Sequence, residues 1–365
     1  MRAEFTTSGP ITARGHGPPH MAELRSARAI QAILWRERAR ADRTGVGFSL
    51  LLFGGHDHNG TLDALTEALC RRVRATDDAG WYAQKQLCAV LPDTAARGAW
   101  RLADDVCAPL GMVAADCCEV YTYPANWTGN DRPGHEGDRR HSHPSPGESR
   151  LGEGASGQPM ETLFISPLPL WKRIVDVVGV FVAMLLLWPL MAVIALAIKL
   201  TSDGPVMFVQ RRAGLGGRCF NMYKFRTMVP DAEARQQELR ALSEQDGPAF
   251  KLSADPRVTR IGRFLRCTSL DELPQLWNVL LGDMSLVGPR PLPCAETDAC
   301  ESWHRRRLDV TPGLTCLWQV HGRSRVAFDD WMRMDIAYIR GRRLSYDMQI
   351  LLLTIPAVVM RRGAH

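Results

Sequence analysis

The chain has ten cysteines but no Cys-x-x-Cys pair, and no His/Cys cluster at the spacing of a zinc site. That excludes a zinc ribbon and a thioredoxin-type redox motif. The vicinal Cys117-Cys118 is no disulfide framework, and scattered, mostly apolar-flanked thiols fit a reducing compartment. No Walker or Rossmann glycine pattern is present, which excludes those phosphate-cradling loops; Gly214-Leu-Gly-Gly217 reads as a turn between strands. The N-terminus lacks the basic, apolar, small-residue order of a secretory signal, so nothing there suggests export. The sequon Asn126-Trp-Thr is inert in a cytosolic chain. Excess charge is scarce too. The net charge is +6 over 365 residues, with 23% charged and 45% hydrophobic residues, as in a folded protein of two modest domains. A mild basic excess suits anionic lipid headgroups and phosphorylated substrates.

What is present is organised in blocks. Residues 1–20 are rich in Gly, Pro and Thr and are expected to be a flexible N-terminus. Apolar positions at helical spacing predict a helix over Met21–Asp42 and others over Thr61–Arg74 and Thr94–Val106. Phe48–Phe53, Gln86–Leu91 and Cys118–Tyr123 read as strands. Alternating strands and helices over 21–123 predict a small α/β sandwich domain. Residues 124–168 form the expected disordered linker: 124–160 hold Gly, Ser, Pro, His and mixed charge, a composition that cannot offset its ordering entropy. His135, His141 and His143 lie there without regular ligand spacing, which favours a solvated linker over a metal site.

One apolar run stands out. Val177–Ile198 carries no charge over 22 residues, long enough to span a bilayer as a helix, and has Pro189 near its middle. Lys172 and Arg173 precede it; Lys199, Arg211 and Arg212 follow. Basic residues on both flanks argue that both ends stay cytoplasmic. Pro189 removes a backbone donor at mid-depth. Together they predict that residues 169–200 form a re-entrant membrane helix, broken at Pro189, that returns to the face it entered. Residues 201–362 then form a cytoplasmic domain.

Within that domain Ser269-Leu-Asp-Glu272 fits a capping box, with Ser269 as N-cap and Glu272 at N3, and Pro274 marks a helix start close by. A capped helix is the bland reading. Capping and catalysis are compatible, because the free N–H groups at a helix N-terminus also attract phosphate. A carboxylate attacking a phosphoryl centre needs Mg²⁺ and Arg or Lys to neutralise the anionic charge. Asp271 can both ligate Mg²⁺ and attack. Glu272 can be a base for a second substrate's phosphate, metal support, or the cap alone. Arg290 sits between two prolines that fix its backbone, which suits bidentate phosphate binding. Arg266 lies five residues before Asp271; Lys224 and, less directly, Arg226 are further phosphate candidates. Trp303-His-Arg-Arg-Arg307 could contact nucleic acid, but no such module surrounds it, and a membrane headgroup contact fits better. Trp331–Arg340 and Asp347–Val359 read as amphipathic or apolar helices, the second too short to span and expected to pack or lie at the interface.

From Trp171 to about Val359 the chain resembles the bacterial sugar transferases, the monotopic phosphoglycosyl transferases. The motifs stand in family order: Lys172-Arg-Ile-Val-Asp176, Gly204-Pro-Val-Met-Phe-Val-Gln-Arg-Arg-Ala-Gly-Leu-Gly216 and Tyr223-Lys-Phe-Arg-Thr-Met228. Then come Arg263-Phe-Leu-Arg-Cys-Thr-Ser-Leu-Asp-Glu-Leu-Pro-Gln-Leu-Trp-Asn278, Gly282-Asp-Met-Ser-Leu-Val-Gly-Pro-Arg-Pro291 and Val310-Thr-Pro-Gly-Leu-Thr-Cys-Leu-Trp-Gln-Val320. The resemblance implies transfer of a sugar 1-phosphate from a UDP-sugar to polyprenyl (undecaprenyl) phosphate, with release of UMP. It implies a covalent step with Asp271 as nucleophile and Glu272 beside it, Mg²⁺ as cofactor, and a place on the cytoplasmic face of the bacterial inner membrane. The pathway implied is exopolysaccharide, capsule or O-antigen synthesis, and no nucleic-acid partner is expected. Three positions depart from the family pattern. Trp188 replaces the Ser that often precedes Pro189, Cys316 stands where Gly is usual, and His321 where Ser is common.

The N-terminal region resembles the GGDEF type of nucleotide-cyclase domain, through Arg36-Glu-Arg-Ala-Arg-Ala-Asp-Arg-Thr-Gly, Phe48–Phe53, Arg74-Ala-Thr-Asp-Asp and Val90-Leu-Pro. Gly80-Trp-Tyr-Ala-Gln-Lys-Gln86 stands where that family carries its metal-binding carboxylates, so a degenerate, non-catalytic domain is expected. Such a domain adds a homodimer to the partners without requiring one. The fold expected is thus an α/β N-terminal sandwich plus a mainly helical (α+β) membrane-embedded transferase domain. The rival reading is a membrane-anchored regulatory or scaffold protein with an inactive transferase core.

Overall fold

The computed structural model describes residues 24–54, 61–83, 86–124, 157–202, 204–252, 254–321 and 326–359. The expected flexible terminus 1–20 and most of the linker, with Asn126, His135, His141 and His143, lie outside these residues. The chain divides into two compact units, one built on residues up to Tyr123 and one from Pro159 onward.

The first unit alternates helices and strands; three of its strands follow the apolar spacing, and a fourth, Asp78–Ala83, is added to them. Helix α1 (Ala27–Thr44) leads to β1 (Phe48–Phe53), α2 (Thr61–Arg72), β2 (Asp78–Ala83), β3 (Gln86–Pro92), α3 (Ala96–Cys107) and β4 (Cys118–Tyr123). The sheet runs β2-β3-β1-β4, with β1 antiparallel to β3 and β4, and β2 antiparallel to β3. All six residues of β1 are buried, as a continuous apolar run at a sheet centre requires. Leu51, Phe53, Leu87, Ala89 and Val120 meet Leu65, Leu69, Ala103 and Val106 of α2 and α3. Helix α1 starts later than its apolar spacing suggests. Ser26 caps it by accepting from the Ala29 N–H, and Arg25 is extended, exchanging backbone hydrogen bonds with Ala79 and Trp81 of β2.

In the second unit, helix α4 (Leu170–Thr201) is long and apolar enough to cross a membrane, and it stays helical on both sides of Pro189. The expected break at Pro189 is therefore not a change of secondary structure. Its N-terminal half is tied down by charge. Lys172 is ion-paired with Asp347, Arg173 donates to the Val279 and Leu280 carbonyls at 2.6 Å each, and the Asp176 carboxylate accepts from Ser285 Oγ and the Leu286 N–H. Lys172 and Arg173 thus serve the interior of the domain rather than a headgroup region. Apolar contacts follow on both sides of Pro189. Val180, Ala183 and Met184 pack with Met222, Leu276 and Leu273; Met191, Ile194 and Ile198 pack with Phe225, Leu265 and, again, Leu273. The middle of the helix is bare, with Leu185, Leu186 and Trp188 all more than 60% exposed.

Two small sheets carry the loops of interest. The hairpin β5 (Met207–Ala213) and β6 (Cys219–Phe225) is antiparallel and turns at Gly214–Gly217, the turn expected there. After it come α5 (Arg260–Cys267), α6 (Gln275–Leu281) and β7 (Ser285–Val287), which pairs in parallel with β8 (Gly313–Thr315). Helices α7 (Phe328–Gly341) and α8 (Leu344–Val359) close the unit; Ile350 of α8 packs inward while Leu352 and Ile355 are exposed. Residues 157–168, expected as the end of the linker, are ordered instead. A 3₁₀ turn buries Met160 and Phe164, and the Ser166 N–H donates to the Asp309 carbonyl. Their apolar residues supply the burial that the polar part of the linker lacks.

The cysteines hold one departure from the all-reduced reading. Cys219 and Cys294 are disulfide-bonded, joining the start of β6 to the segment after Arg290; the other eight thiols are free.

Candidate active site

Asp271 and Glu272 lie on a 3₁₀ turn, Leu270–Glu272, between α5 and α6. The capping box does not form. Ser269 adopts φ 57° and its side chain makes no cap bond, while Pro274 immediately precedes α6 as expected. A left-handed backbone at a serine costs roughly 1 kcal/mol or more. It turns the two carboxylates towards a cavity of about 800 Å³ whose walls include Lys224, Arg266, Asp271, Glu272 and Arg290.

Three contacts bring those distant residues together. Asn278 of α6 is buried and grips β6, donating to the Asn221 carbonyl at 2.7 Å and accepting from the Tyr223 N–H at 3.0 Å, so Lys224 is fixed against the turn. Thr227, just past β6, accepts at its carbonyl from the Thr259 N–H, while its hydroxyl accepts from Arg266 Nε at 2.9 Å. At the third contact Gly288 meets Gly313. A Cβ on Gly313 would lie 2.0 Å from the Gly288 nitrogen, so only glycine allows β7 and β8 to come this close. The Gly313 N–H then donates to the Pro289 carbonyl, which pins the Gly-Pro-Arg-Pro loop and presents Arg290.

The carboxylates are not equivalent. Glu272 takes both nitrogens of the Arg290 fork and Lys224 Nζ at 3.2 Å. Burial pushes its carboxyl up, but Arg290 and Lys224 outweigh it and hold Glu272 well below the usual range. Arg290 is raised in turn by Glu272 against the effect of burial. Asp271 is only 7% exposed, and among the described residues nothing lies within hydrogen-bond or ion-pair distance of its carboxylate. Burial first, and then the charge of Glu272, push Asp271 up to about 6. Burial brings Lys224 down to about 8.

Two further arginines support the cluster. Arg212 on β5 lies close enough to Arg290 and Glu272 to feel both charges, bonds Gln210 and the Pro291 carbonyl, and is brought down to about 10 by burial. Arg307 donates to the Arg290 carbonyl and pairs with Asp335 at 2.7 Å, its guanidinium stacked over Trp331. The Trp303–Arg307 segment is therefore largely internal, with His304 and Arg307 each 4% exposed, and does not offer the expected headgroup contact. Arg226 also lines the cavity, while its guanidinium bonds Ser202 at the end of α4. Sequence reading missed the roles of Arg212 and Arg307. The proline that brackets each contact, Pro291 or Pro289–Pro291, was the available cue.

No group of three or more His, Cys, Asp or Glu side chains that could hold a metal occurs among the described residues. Mg²⁺ does not require one, since it keeps waters and substrate phosphates and takes one or two carboxylates from the protein. An unpaired Asp271 beside a carboxylate already neutralised by two cations fits that donor set.

The profile of the bacterial sugar transferase family matches residues 168–361. Galactosyl transferase CpsE of Streptococcus agalactiae is 42% identical over 194 residues, 53% of this chain and 43% of that one. The UDP-glucose:undecaprenyl-phosphate glucose-1-phosphate transferase of Caulobacter vibrioides is 42% identical over 54% of this chain and 75% of that one. The chain spans about two fifths of the length of the first curated relatives it matches. The GGDEF domain of a Pseudomonas aeruginosa protein superposes on 29% of this chain and 74% of that one, at 14% identity and a TM-score of 0.24, too low to carry an argument about the N-terminal unit.

Proposed function

Because the chain belongs to the bacterial sugar transferase family, we propose that it transfers a sugar 1-phosphate from a UDP-sugar to polyprenyl phosphate. The observation that carries this is the asymmetry of the turn: a buried carboxylate without a cation partner, Asp271, beside one held by Arg290 and Lys224. An Asp271 oxygen bonds to the sugar-bearing phosphorus of the donor, and the bond from that phosphorus to UMP breaks. UMP leaves with the electron pair. A phosphate oxygen of the lipid then bonds to the same phosphorus and the aspartyl oxygen departs, giving a diphosphate-linked sugar and free Asp271. Arg290, Lys224 and Arg266 neutralise charge on the phosphoryl oxygens. Glu272 orients the first two cations, which supports an organising role over that of a base. Mg²⁺ held by Asp271 and the donor's phosphates would supply further charge neutralisation.

The place of action follows from α4. Asp176, Val180, Ile194 and Ile198 all pack on the same domain, although a straight helix of 32 residues would measure about 48 Å, more than the ~30 Å of a hydrocarbon core. Both ends on one side and a bare middle support a helix that dips in and returns, at the cytoplasmic face of the inner membrane. The N-terminal unit is read as a non-catalytic cyclase-like domain, supported by the lack of carboxylates in Gly80–Gln86. Relatives named for galactose and for glucose leave the sugar open.

The test is UMP release by detergent-solubilised protein given UDP-sugars, undecaprenyl phosphate and Mg²⁺, wild type beside Asp271→Asn. Lipid-dependent UMP that vanishes in the variant supports the reading. Undiminished UMP from the variant removes Asp271 as nucleophile, and none from the wild type with any common donor favours an inactive core.

A further inference from the structure

A second cavity, of about 240 Å³, lies on the other side of the Asp271–Glu272 turn. Ser269, Glu272 and Gln319 line both cavities, so the turn is a partition between them. The chemistry of the two sides differs. The larger cavity holds the cationic cluster; the smaller is walled by Leu270, Leu273, Leu286, Leu314, Val320 and Leu351. Its other polar wall residues include Thr315 and Thr354, whose hydroxyls bond each other at 2.8 Å and so present little unmet polarity.

The walls of this cleft are also the residues that seat α4. Leu286 and Leu314 belong to the apolar cluster that holds Val180 before Pro189, Leu270 to the one that holds Ile194 and Ile198 after it, and Leu273 to both. On the outer side Leu351 and Thr354 belong to α8, whose neighbouring Leu352, Leu353 and Ile355 are exposed. An apolar path therefore runs from an uncovered leucine-rich helix face, past the apolar helix, to the Glu272 end of the cationic cluster.

We propose, resting on the transferase reading above, that this cleft takes the first isoprene units of the polyprenyl phosphate acceptor, with its phosphate at the Glu272–Arg290 end. An isoprenoid anion is a ligand with one apolar end and one doubly charged end, and the cleft offers those two environments in that order. Donor and acceptor then reach the Asp271–Glu272 turn through two cavities that share Ser269, Glu272 and Gln319.

The test uses the full chain in detergent. Val320→Trp fills the cleft. The expected result is a rise of about tenfold in KM for polyprenyl phosphate, several times any change in KM for the UDP-sugar. Equal rises in both constants, or none, overturn the assignment. A prenyl phosphate bearing a diazirine on its first isoprene provides a second readout on wild-type protein, independent of folding of the variant. Labelling of peptides holding Leu314–Val320 or Leu351–Thr354 supports the cleft, and labelling confined to Val177–Ile198 overturns it. If wild-type protein releases no UMP with any donor, the transferase reading fails; if it turns over but the lipid KM does not move, only the cleft fails.

Discussion

Glu272 and Arg290, eighteen residues apart, form a two-pronged ion pair inside the cavity, while Asp271, next to Glu272 in the chain, has no such partner among the described residues. Adjacent carboxylates therefore have opposite electrostatic fates. One is spent on holding cations in place, the other is held at an elevated pKa.

Replacing Glu272 with Gln leaves Arg290 and Lys224 without their shared counter-charge. Burial already brings Lys224 down to about 8, and Glu272 is the largest influence opposing it. Glu272→Gln should lower kcat/KM by roughly 10²-fold and move the alkaline limb of its pH profile to lower pH. An unmoved limb would separate Lys224 from the reaction.

Asp271 has a folded-state pKa near 6, above its ordinary value of 3.8. Between those two values the native state binds more protons than the unfolded one, so this group makes the protein less stable as pH rises from about 4 to about 6. The cost is complete above pH 6. Asp271→Asn should raise Tm at pH 7.5, with the gain shrinking as pH falls through 6. A Tm lower than wild type at pH 7.5 refutes this account of the carboxylate. Activity should follow the same group and decline below pH 6 as the nucleophile protonates.

The Lys172–Asp347 pair has both side chains 3% exposed, and Asp347 also accepts from the Tyr338 hydroxyl at 2.8 Å. Lys172→Met leaves a buried carboxylate uncompensated and should cost about 3–5 kcal/mol, read as a fall in Tm in detergent. Adding Asp347→Leu should restore part of the loss. Additive losses would show that the two charges do not compensate each other.

Thiol alkylation under denaturing conditions without reductant should modify eight of the ten cysteines, and all ten after reduction, with Cys219 and Cys294 the pair that changes. Ten modified thiols in both samples would place the chain fully in the reduced form.

Local pattern made the N-terminal unit legible. Most of its strands and helices are short periodic runs, several ended by Gly or Pro; β2, which carries no apolar alternation, is not legible in the pattern, and α1 starts late because a long-range backbone pairing with β2 claims Arg25. Asp271, Glu272, Lys224, Arg266 and Arg290 were legible as a set because each lies within a dense motif. Their division of labour was not. Ser269 and Glu272 match a capping box letter by letter, yet an arginine eighteen residues away takes the carboxylate, and the backbone turns left-handed to deliver it. The basic and aromatic Trp303–Arg307 segment reads as a headgroup contact; Asp335 and the Trp331 ring, remote in sequence, make burial of Arg307 tolerable instead.

Leu273 has a further consequence. It stands two residues after Asp271 and belongs to both apolar clusters that seat α4, the one around Val180 before Pro189 and the one around Ile194 and Ile198 after it. On the transferase reading, a shift of that helix would reach the Asp271 turn through this shared packing. Where a bilayer is thinner or thicker than the apolar stretch prefers, the helix adjusts its tilt or depth at a small cost per ångström. Through Leu273 that adjustment would reach the turn that carries Asp271, so the proposed transfer would depend on the hydrophobic mismatch with the surrounding lipid.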